Sequence, residues 1–499
     1  MKCECVKQGE LSGIATAIAV RAEVRAAIGA LKPGNSGGAK GGRKVNDCEP
    51  QTGKETAEVC ESTKQAEKPL NPRWEWVEST VWNANMLRAL DEGVKGGKWF
   101  SLIDKVYKRA NLDRAFASVK RNGGASGIDN VSVAKYEQEY EHYQETLQRE
   151  LQTGQYRPKP LRRKYIEKAG SREMRPLSIP TVRDRTVQKA VVNVLEPIYE
   201  KDFAPNSYGF RPGRGCKDAL REVEKQLNDG LFWVVDADLK SYFDTIPHQP
   251  LIQRLTEKIS DGRMLELIEL FLTQGVMDGM KEWTPENGTP QGGVISPLLA
   301  NIYLDPLDWK MHKNEHCMIR YADDFVILCR SREEAETVLA IAREWVNENG
   351  LTLHPEKTRI VDMSQAGNSF DFLGYRFFRG GRSGRIARLC RSKSLNKFKD
   401  GIREKTRRNN GCSMDAIVNQ LNPKLQGWYN YFKQVKLSQL RELDGWIRRR
   451  LRSIMRRRHK RQGISKGADH QRYPKSYFIQ LGLFSLEQTK RQELSAVST

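Results

Sequence analysis

The sequence lacks any hydrophobic run that approaches a membrane-spanning helix, which needs about 20 predominantly apolar residues. It also has little that resembles a secretory signal, because Glu10 and Arg21 bracket only a weak apolar stretch with no convincing cleavage site. These two absences argue against a membrane protein and a secreted protein. We therefore expect a cytoplasmic protein with no membrane partner.

The nine cysteines form neither a disulfide framework nor a zinc motif. Their number is odd, and Cys48 and Cys60 lie in a segment with few large apolar residues. No cysteine pair is supported by a second pair at the spacing of a structural zinc site, and no cysteine follows Cys412. We expect free thiols in a reducing compartment and no structural zinc.

Acidic residues are too few to balance the basic ones. The 62 Asp and Glu face 84 Lys and Arg, which leaves a formal net charge of +22 over 499 residues. Such an excess suits a polyanionic partner, and the length allows two or three domains with a sizeable core. Nucleic acid is the expected partner.

The chain divides into four segments by composition and periodicity. Residues 1–70 include a long stretch rich in Gly, Lys, Glu, Thr and Ser, which predicts a disordered leader. Helical periodicity and short β segments alternate over residues 71–390. Basic amphipathic helices are predicted over residues 391–465, and a short tail over residues 466–499.

Two acidic elements carry the clearest chemical signal. Tyr321 to Asp324 (YADD) lies between apolar β arms, which predicts a hairpin with adjacent carboxylates at its tip. Asp238 ends a second apolar strand. An acid pair at a turn is usually only a solvated turn. Together, however, carboxylates from neighbouring strands can hold two Mg²⁺ ions about 4 Å apart for in-line attack on phosphorus.

Two further acids of the second element are interpreted as structural, Asp236 as a satisfied strand acid and Asp244 as a turn or cap residue. The third element, Gly288 to Asn301, contains Gln291 followed by two glycines. The glycines let the backbone approach a ligand, and the Gln291 amide can contact a base, a sugar or a template strand. A Gly-Gly turn before a helix is weak when taken alone.

Together with the two acidic elements, the segment Thr-Pro-Gln-Gly-Gly resembles the palm of a reverse transcriptase. The combination of Thr-Pro-Gln-Gly-Gly with Tyr-Ala-Asp-Asp resembles the group II intron branch in particular. Further segments in family order extend the resemblance over nearly all of residues 75–460. They are Arg121–Asp129, Arg175–Arg185, Ser207–Gly213, Leu353–Lys357 and Phe372–Tyr375.

This resemblance implies an α+β right-hand polymerase, with fingers and palm followed by an α-helical thumb or maturase domain. It implies that Asp238, Asp323 and Asp324 are the catalytic acids and hold two Mg²⁺ ions, with Asp324 as the weaker contributor.

The resemblance also implies a set of nucleotide-binding residues. Lys168 and Arg175 would be finger residues that hold the triphosphate, and Lys357 a palm lysine near the site. Phe243 would block the 2′-hydroxyl of a ribonucleotide, and Gln291 would contact nucleotide or template. The alternatives are solvated charges for the cations and an ordinary core position for Phe243.

A basic C-terminal region supports RNA binding. Leu421 to Phe432 resembles the thumb of group II intron proteins, and we expect Trp428 to lie in the core. A basic stripe beside an apolar helix face can follow phosphates, although a charge run is usually a solvated face. The predicted RNA-binding residues are Arg211, Arg448, Arg449, Arg450, Arg456, Arg457 and Arg458.

The function implied is an RNA-directed DNA polymerase that binds its group II intron RNA, assists splicing and copies that RNA at a DNA target. Its substrates would be an RNA template, a DNA primer or target, and dNTPs. The C-terminal segment has no cysteine pairs, so no zinc-associated DNA endonuclease domain is expected. The alternatives are a host-adopted reverse transcriptase without an intron and an RNA-binding splicing factor with a vestigial polymerase site; the intact acids and Gly-Gly element argue against the latter.

Overall fold

The computed structural model describes residues 71–94, 96–167, 174–380, 384–461 and 467–497. The leader predicted at residues 1–70 and Lys168 lie outside this described part of the chain. A short 3-10 turn, Pro72–Trp74, precedes the helices. The helices are α1 (Ala84–Glu92), α2 (Ile103–Tyr107), α3 (Arg109–Asn122), α4 (Val133–Gln138), α5 (Tyr140–Thr153), α6 (Val182–Glu200), α7 (Cys216–Asn228), α8 (Tyr242–Thr245), α9 (His248–Thr256), α10 (Gly262–Leu272), α11 (Ser296–Lys313), α12 (Arg332–Glu348), α13 (Ser392–Lys405), α14 (Met414–Phe432), α15 (Leu437–Arg458), α16 (Gly467–Arg472), α17 (Lys475–Gln480) and α18 (Leu486–Val497).

The strands form three sheets. The finger sheet has the order β2-β1-β4-β5, the palm sheet the order β6-β7-β3-β8, and a third sheet the order β11-β10-β9. The strands are β1 (Leu161–Glu167), β2 (Met174–Ile179), β3 (Trp233–Asp238), β4 (Val276–Asp278), β5 (Lys281–Trp283), β6 (Cys317–Tyr321), β7 (Asp324–Cys329), β8 (Arg359–Asp362), β9 (Ser369–Phe372), β10 (Tyr375–Arg379) and β11 (Ile386–Cys390).

The palm sheet is buried on both faces, because alternate residues of its central strands serve two different cores. Val235 and Ala237 of β3 pack into the core that contains α11 and α12, whereas Val234 packs into the core shared with α7 and the C-terminal helices. A strand covered on both faces needs apolar residues at successive positions. This explains the unbroken apolar run before Asp238.

The finger sheet begins with the antiparallel pair β1–β2, in which Arg163 lies opposite Ser178 and Ile166 opposite Arg175. β4 adds in parallel to β1, and β5 adds antiparallel to β4. After β2, the side chain of Thr181 accepts the N–H of Asp184 and so begins α6. The long helix α6 packs against α3 and is buried along most of its length.

All described residues after β11 are helical or in short connections. Trp428 is 8% exposed and stacks between Phe398 and Phe432, with ring centroids 4.6 and 4.9 Å apart, which confirms that it lies in the core. The mixed helix-and-sheet region followed by a helical region agrees with the predicted polymerase fold. Every helix of the described segments is too short or too polar to span a bilayer.

The segment predicted as a short tail is structured where it is described. The Asp444 carboxylate of α15 accepts the backbone N–H groups of Leu486 and Glu487, both at 3.1 Å, and so caps the first turn of α18. Phe478 and Leu486 are buried in the same core as α14 and α15. These helices therefore belong to the thumb body.

Candidate active site

The tip of the β6–β7 hairpin carries the YADD acids, as predicted. Tyr321 pairs with Asp324, so the tip consists of Ala322 and Asp323, and Ala322 has a φ of 59°. The buried Arg320 donates to the Ala322 carbonyl oxygen at 2.9 Å and forms an ion pair with buried Asp308. A fixed guanidinium thus holds the hairpin tip from within.

β3 brings the third acid to the same place. In its antiparallel pairing with β7, Asp238 lies opposite Asp324, and the Leu239 N–H donates to the Asp323 carbonyl oxygen at 3.4 Å. The structure therefore brings together all three acids that the sequence singled out. They lie at one end of the palm sheet and are contributed by two separate segments of the chain.

Burial and neighbouring negative charge raise the pKa values of two of the three acids. Burial raises the pKa of Asp323, and the Asp238 charge raises it further, against the opposing charges of Arg175 and Lys357. Burial also raises the pKa of Asp324 well above its usual range, with additional repulsion from Asp323, Asp236 and Asp238. A divalent cation would relieve this repulsion.

The donor set fits Mg²⁺ in chemistry. Carboxylate oxygens are hard ligands, and Mg²⁺ is commonly bound by one or two carboxylates, with water and substrate phosphate completing its shell. In the described ranges no group of three or more His, Cys, Asp or Glu side chains is arranged to hold a metal alone. The remaining ligands would therefore come from water and the nucleotide.

Two cations pair with acids of β3. Lys357 forms an ion pair with Asp238, and Arg359 forms one with Asp236 at 3.2 Å. Asp236 is thus a paired strand acid, as expected. Asp244 accepts the Gln291 amide N–H at 2.8 Å instead of capping a helix, so it links α8 to the Gly-Gly element.

The Gly-Gly element joins the palm to the fingers. The Gln291 carbonyl accepts the Ser178 N–H of β2 at 2.8 Å. Gly292 has a φ of 116°, and a Cβ atom there would lie 2.5 Å from the Ser178 carbonyl oxygen. Both the backbone conformation and the close approach of β2 therefore require glycine at this position.

Phe243 lies on α8, beside this junction. Its ring is half-buried and contacts the core and Tyr242, at a centroid distance of 5.6 Å. Its carbonyl oxygen accepts the Thr289 N–H at 2.6 Å. The half-buried position of Phe243 is compatible with both interpretations, a core residue and a block to the 2′-hydroxyl.

The fingers contribute one predicted cation and one that the sequence analysis missed. Arg175 is exposed on β2. Burial raises the pKa of Asp323 and of Asp244, and the positive charge of Arg175 partly opposes this rise at both acids. Arg163 of β1 opposes it at Asp244 as well, and donates to the Ser178 hydroxyl at 3.2 Å. Arg163 sits in a basic strand, Arg-Arg-Lys, where only strand alternation could have indicated which side chain faces the palm.

Arg211 was predicted to bind RNA, and the structure contradicts this. Its side chain is 3% exposed, forms an ion pair with Glu200 at 2.8 Å and donates to the carbonyl oxygens of Ala204 and Ser207. A guanidinium enclosed by internal acceptors has no donor left for phosphate. Arg211 therefore fixes the loop that follows α6.

The six arginines of α15 that were predicted to bind RNA divide into two groups. Arg448, Arg450 and Arg456 are half-buried: Arg448 lies 4.0 Å from Asp444, Arg456 pairs with Asp469 at 2.9 Å, and Arg450 donates to Thr406. The other group is exposed and comprises Arg449, Arg457 and Arg458, the last of which also donates to the Cys412 carbonyl. Fewer arginines of α15 are therefore available to bind a polyanion than the sequence predicted.

Comparisons with known proteins agree with this arrangement. The family model described as "Reverse transcriptase (RNA-dependent DNA polymerase)" matches residues 166–377, and the model described as "Group II intron, maturase-specific domain" matches residues 395–473. Protein YkfC of Escherichia coli (strain K12) is 34% identical over 293 residues, which cover 51% of this chain and 76% of that protein.

The group II intron-encoded protein LtrA of Lactococcus lactis subsp. cremoris is 47% identical over 158 residues, or 32% of this chain and 26% of LtrA. The chain thus spans about a quarter of that relative. A solved "Partial Cas6-RT-Cas1--Cas2 complex" is 28% identical and covers 50% of this chain and 41% of its own, with a TM-score of 0.33. From the two family matches and the extent of the E. coli match, the chain belongs to the group II intron family of reverse transcriptases, RNA-dependent DNA polymerases that carry a maturase-specific domain.

Proposed function

We propose that this chain polymerises DNA on an RNA template at the site formed by Asp238, Asp323 and Asp324. The observation that carries the proposal is the pairing of β3 with the β6–β7 hairpin, because it aligns three carboxylates from two segments at one end of a sheet. Two bound Mg²⁺ ions would supply activation of the primer 3′-hydroxyl and stabilisation of the leaving pyrophosphate. Asp238 and Asp323 would hold both ions, with Asp324 as a weaker contributor.

The chain's own side chains would orient the nucleotide and the template. Arg175 is exposed and close enough to the acids to affect their pKa values, so it is suited to contact the triphosphate. We keep Lys168 as its proposed partner in that role. Lys357 would position Asp238 through their ion pair, and Gln291, anchored on Asp244, would face the nucleotide or template. Phe243 would exclude the 2′-hydroxyl.

We infer that the partner RNA is a group II intron, whose splicing the chain assists and which it copies at a DNA target that supplies the primer. The match to the maturase-specific domain and the exposed arginines of α15 support this inference. We also infer action in the cytoplasm, since none of the five cysteines in the described ranges forms a disulfide bond.

A primer-extension assay tests the proposal. The protein is given poly(rA) annealed to oligo(dT), dTTP and Mg²⁺, and its affinity for intron RNA is measured in parallel. The proposal expects extension of the DNA primer that chelation of Mg²⁺ abolishes. Tight RNA binding without extension would instead support a splicing factor with a vestigial polymerase site.

A further inference from the structure

Exposed apolar side chains concentrate on the finger sheet. Four of the seven large hydrophobic residues that are exposed in the described ranges belong to its strands or to the β4–β5 turn. They are Tyr165 at 50%, Met174 at 47%, Met280 at 101% and Trp283 at 39% exposure. Exposed rings on a sheet that also contacts the active site indicate a binding surface.

Two of these rings share one face with Arg163. β1 places Leu161, Arg163 and Tyr165 on the same side, Leu161 pairs with Val276, and Val276 pairs with Trp283. The Arg163 guanidinium lies over the Trp283 ring at 5.3 Å from its centroid. The Tyr165 hydroxyl donates to Asp278 at 2.6 Å, which fixes the second ring. We call Arg163, Tyr165 and Trp283 the aromatic face.

A continuous series of contacts links the aromatic face to the candidate active site. Arg163 donates to the Ser178 hydroxyl at 3.2 Å, and the Ser178 N–H donates to the Gln291 carbonyl at 2.8 Å. The Gln291 amide in turn donates to Asp244 at 2.8 Å. A strand of nucleic acid that leaves the palm along the Gly-Gly element would therefore reach these rings.

The charge of the finger sheet suits a polyanion. Its four strands carry five cations and three acids, so positive charge prevails. The cations are Arg162, Arg163, Lys164, Arg175 and Lys281, and the acids are Glu167, Asp278 and Glu282. Solvent-exposed rings flanked by arginine are the combination that binds single-stranded nucleic acid, because bases stack on the rings while cations follow the backbone.

We propose that the aromatic face binds the unpaired template RNA ahead of the nascent base pair, with a base stacked on Trp283 and the next on Tyr165. This rests on the proposed polymerase function, since only a templated reaction takes in a single strand beside the nucleotide site. Arg163, already stacked on Trp283, would neutralise the phosphate between the two bases.

The test compares two RNA templates annealed to the same DNA primer, one with a 5′ overhang of one nucleotide and one of ten. Equilibrium binding is measured by fluorescence anisotropy without dNTP, so the result is independent of whether the protein extends the primer. The unaltered protein is expected to bind the ten-nucleotide overhang more tightly. Equal affinity for the two would overturn the proposal.

A series of variants separates stacking from packing. Trp283→Ala and Trp283→Leu should each lose about 5- to 150-fold in affinity for the long overhang and almost nothing for the short one. Trp283→Phe should retain most of the affinity because its ring can stack. Phe100→Ala, which removes a ring that is 67% exposed elsewhere, is the matched control and should bind as the unaltered protein does.

With these variants on the two templates, three outcomes would overturn the proposal. They are unchanged binding of the long overhang by Trp283→Ala, an equal loss on both templates, and retention of affinity by Trp283→Leu. The second would assign Trp283 to the duplex or to the fold, and the third would assign it to apolar packing. If Trp283→Ala instead weakened binding of intron RNA and left both template-primers unaffected, the proposal would also be overturned, because the surface would then bind a different RNA.

Discussion

At the scale of single residues, a substitution of Phe243 tests whether its ring excludes the 2′-hydroxyl of a ribonucleotide or only packs in the core. Replacement by Val should open space beside the nucleotide sugar and raise the use of rNTP relative to dNTP at least about tenfold, as loss of a steric block is worth about 1–3 kcal/mol. Single-nucleotide incorporation with matched dNTP and rNTP measures the ratio. An unchanged ratio, with stability reduced, would make Phe243 a core residue.

Arg320 gives a prediction about stability. Its side chain is 1% exposed and its ion-pair partner Asp308 is 0% exposed, so Arg320→Met would leave a buried carboxylate unpaired. We expect the free energy of unfolding to fall by about 3–5 kcal/mol. Urea denaturation measures this, with Arg332→Met as the control, because Arg332 and Glu336 form an exposed ion pair whose loss should hardly change the free energy of unfolding. Equal effects of the two substitutions would contradict the structural role of Arg320.

What the sequence could predict about individual residues depended on how local the signal was. Asp238 ends β3, Asp323 lies in the turn between β6 and β7, and Asp324 begins β7, so the apolar runs beside them were enough to place them at strand ends. Arg211 was misplaced because its partner Glu200 lies on α6, eleven residues earlier, and nothing in the sequence indicates that pairing. Arg163 was missed because its orientation depends on Trp283, more than a hundred residues away.

At the scale of elements, the junction between the fingers and palm depends on Gly292. A Cβ atom there would lie 2.5 Å from the Ser178 carbonyl oxygen, and the φ of 116° is unfavourable for any side chain. Gly292→Ala should therefore displace β2 and reduce kcat for extension tenfold or more, which is about 1.4 kcal/mol.

The control for this substitution is Gly262→Ala, where a Cβ atom meets nothing within 4 Å. It should leave kcat unchanged. Affinity for a template-primer with a one-nucleotide overhang, which does not reach the aromatic face, should stay within about twofold for both variants, because the contacts to the duplex are retained. Normal extension by Gly292→Ala would mean that β2 need not contact the Gly-Gly element.

Helices and strands were predictable where their own apolar pattern showed that they are buried. They were missed where their formation depends on pairing with a distant segment of the chain. The β6–β7 hairpin and β3 have long apolar runs, so their existence followed from the sequence. β4 and β5 have three residues each and are stabilised by the parallel pairing of β4 with β1. The C-terminal helices are short, and their folding depends on Asp444 and on the thumb core.

At the scale of the whole molecule, the excess of positive charge should strengthen RNA binding through the arginines that are exposed on the surface. Arg449→Glu with Arg457→Glu should weaken binding of structured RNA and lower the slope of log affinity against log salt by about 2, because each lost phosphate contact removes about 0.9. Filter binding across a salt series measures this. The fold should survive, which circular dichroism can check.

Arg343→Glu is the matched control, since Arg343 is exposed on α12, away from the thumb helices. It should change the slope by much less. Equal slopes for all three proteins would make the arginines of α15 a solvated surface and would remove the physical basis for RNA binding by this helix.

The central claim is that Asp238 and Asp323 hold the catalytic ions, and primer extension by Asp238→Asn and Asp323→Asn tests it most directly. Each change keeps the size of the side chain and removes a charged ligand, so extension on poly(rA)/oligo(dT) should fall at least about a thousandfold while RNA affinity stays within about twofold. Asp362→Asn, at the end of β8, should extend normally. Near-normal extension by either of the first two variants would contradict the account.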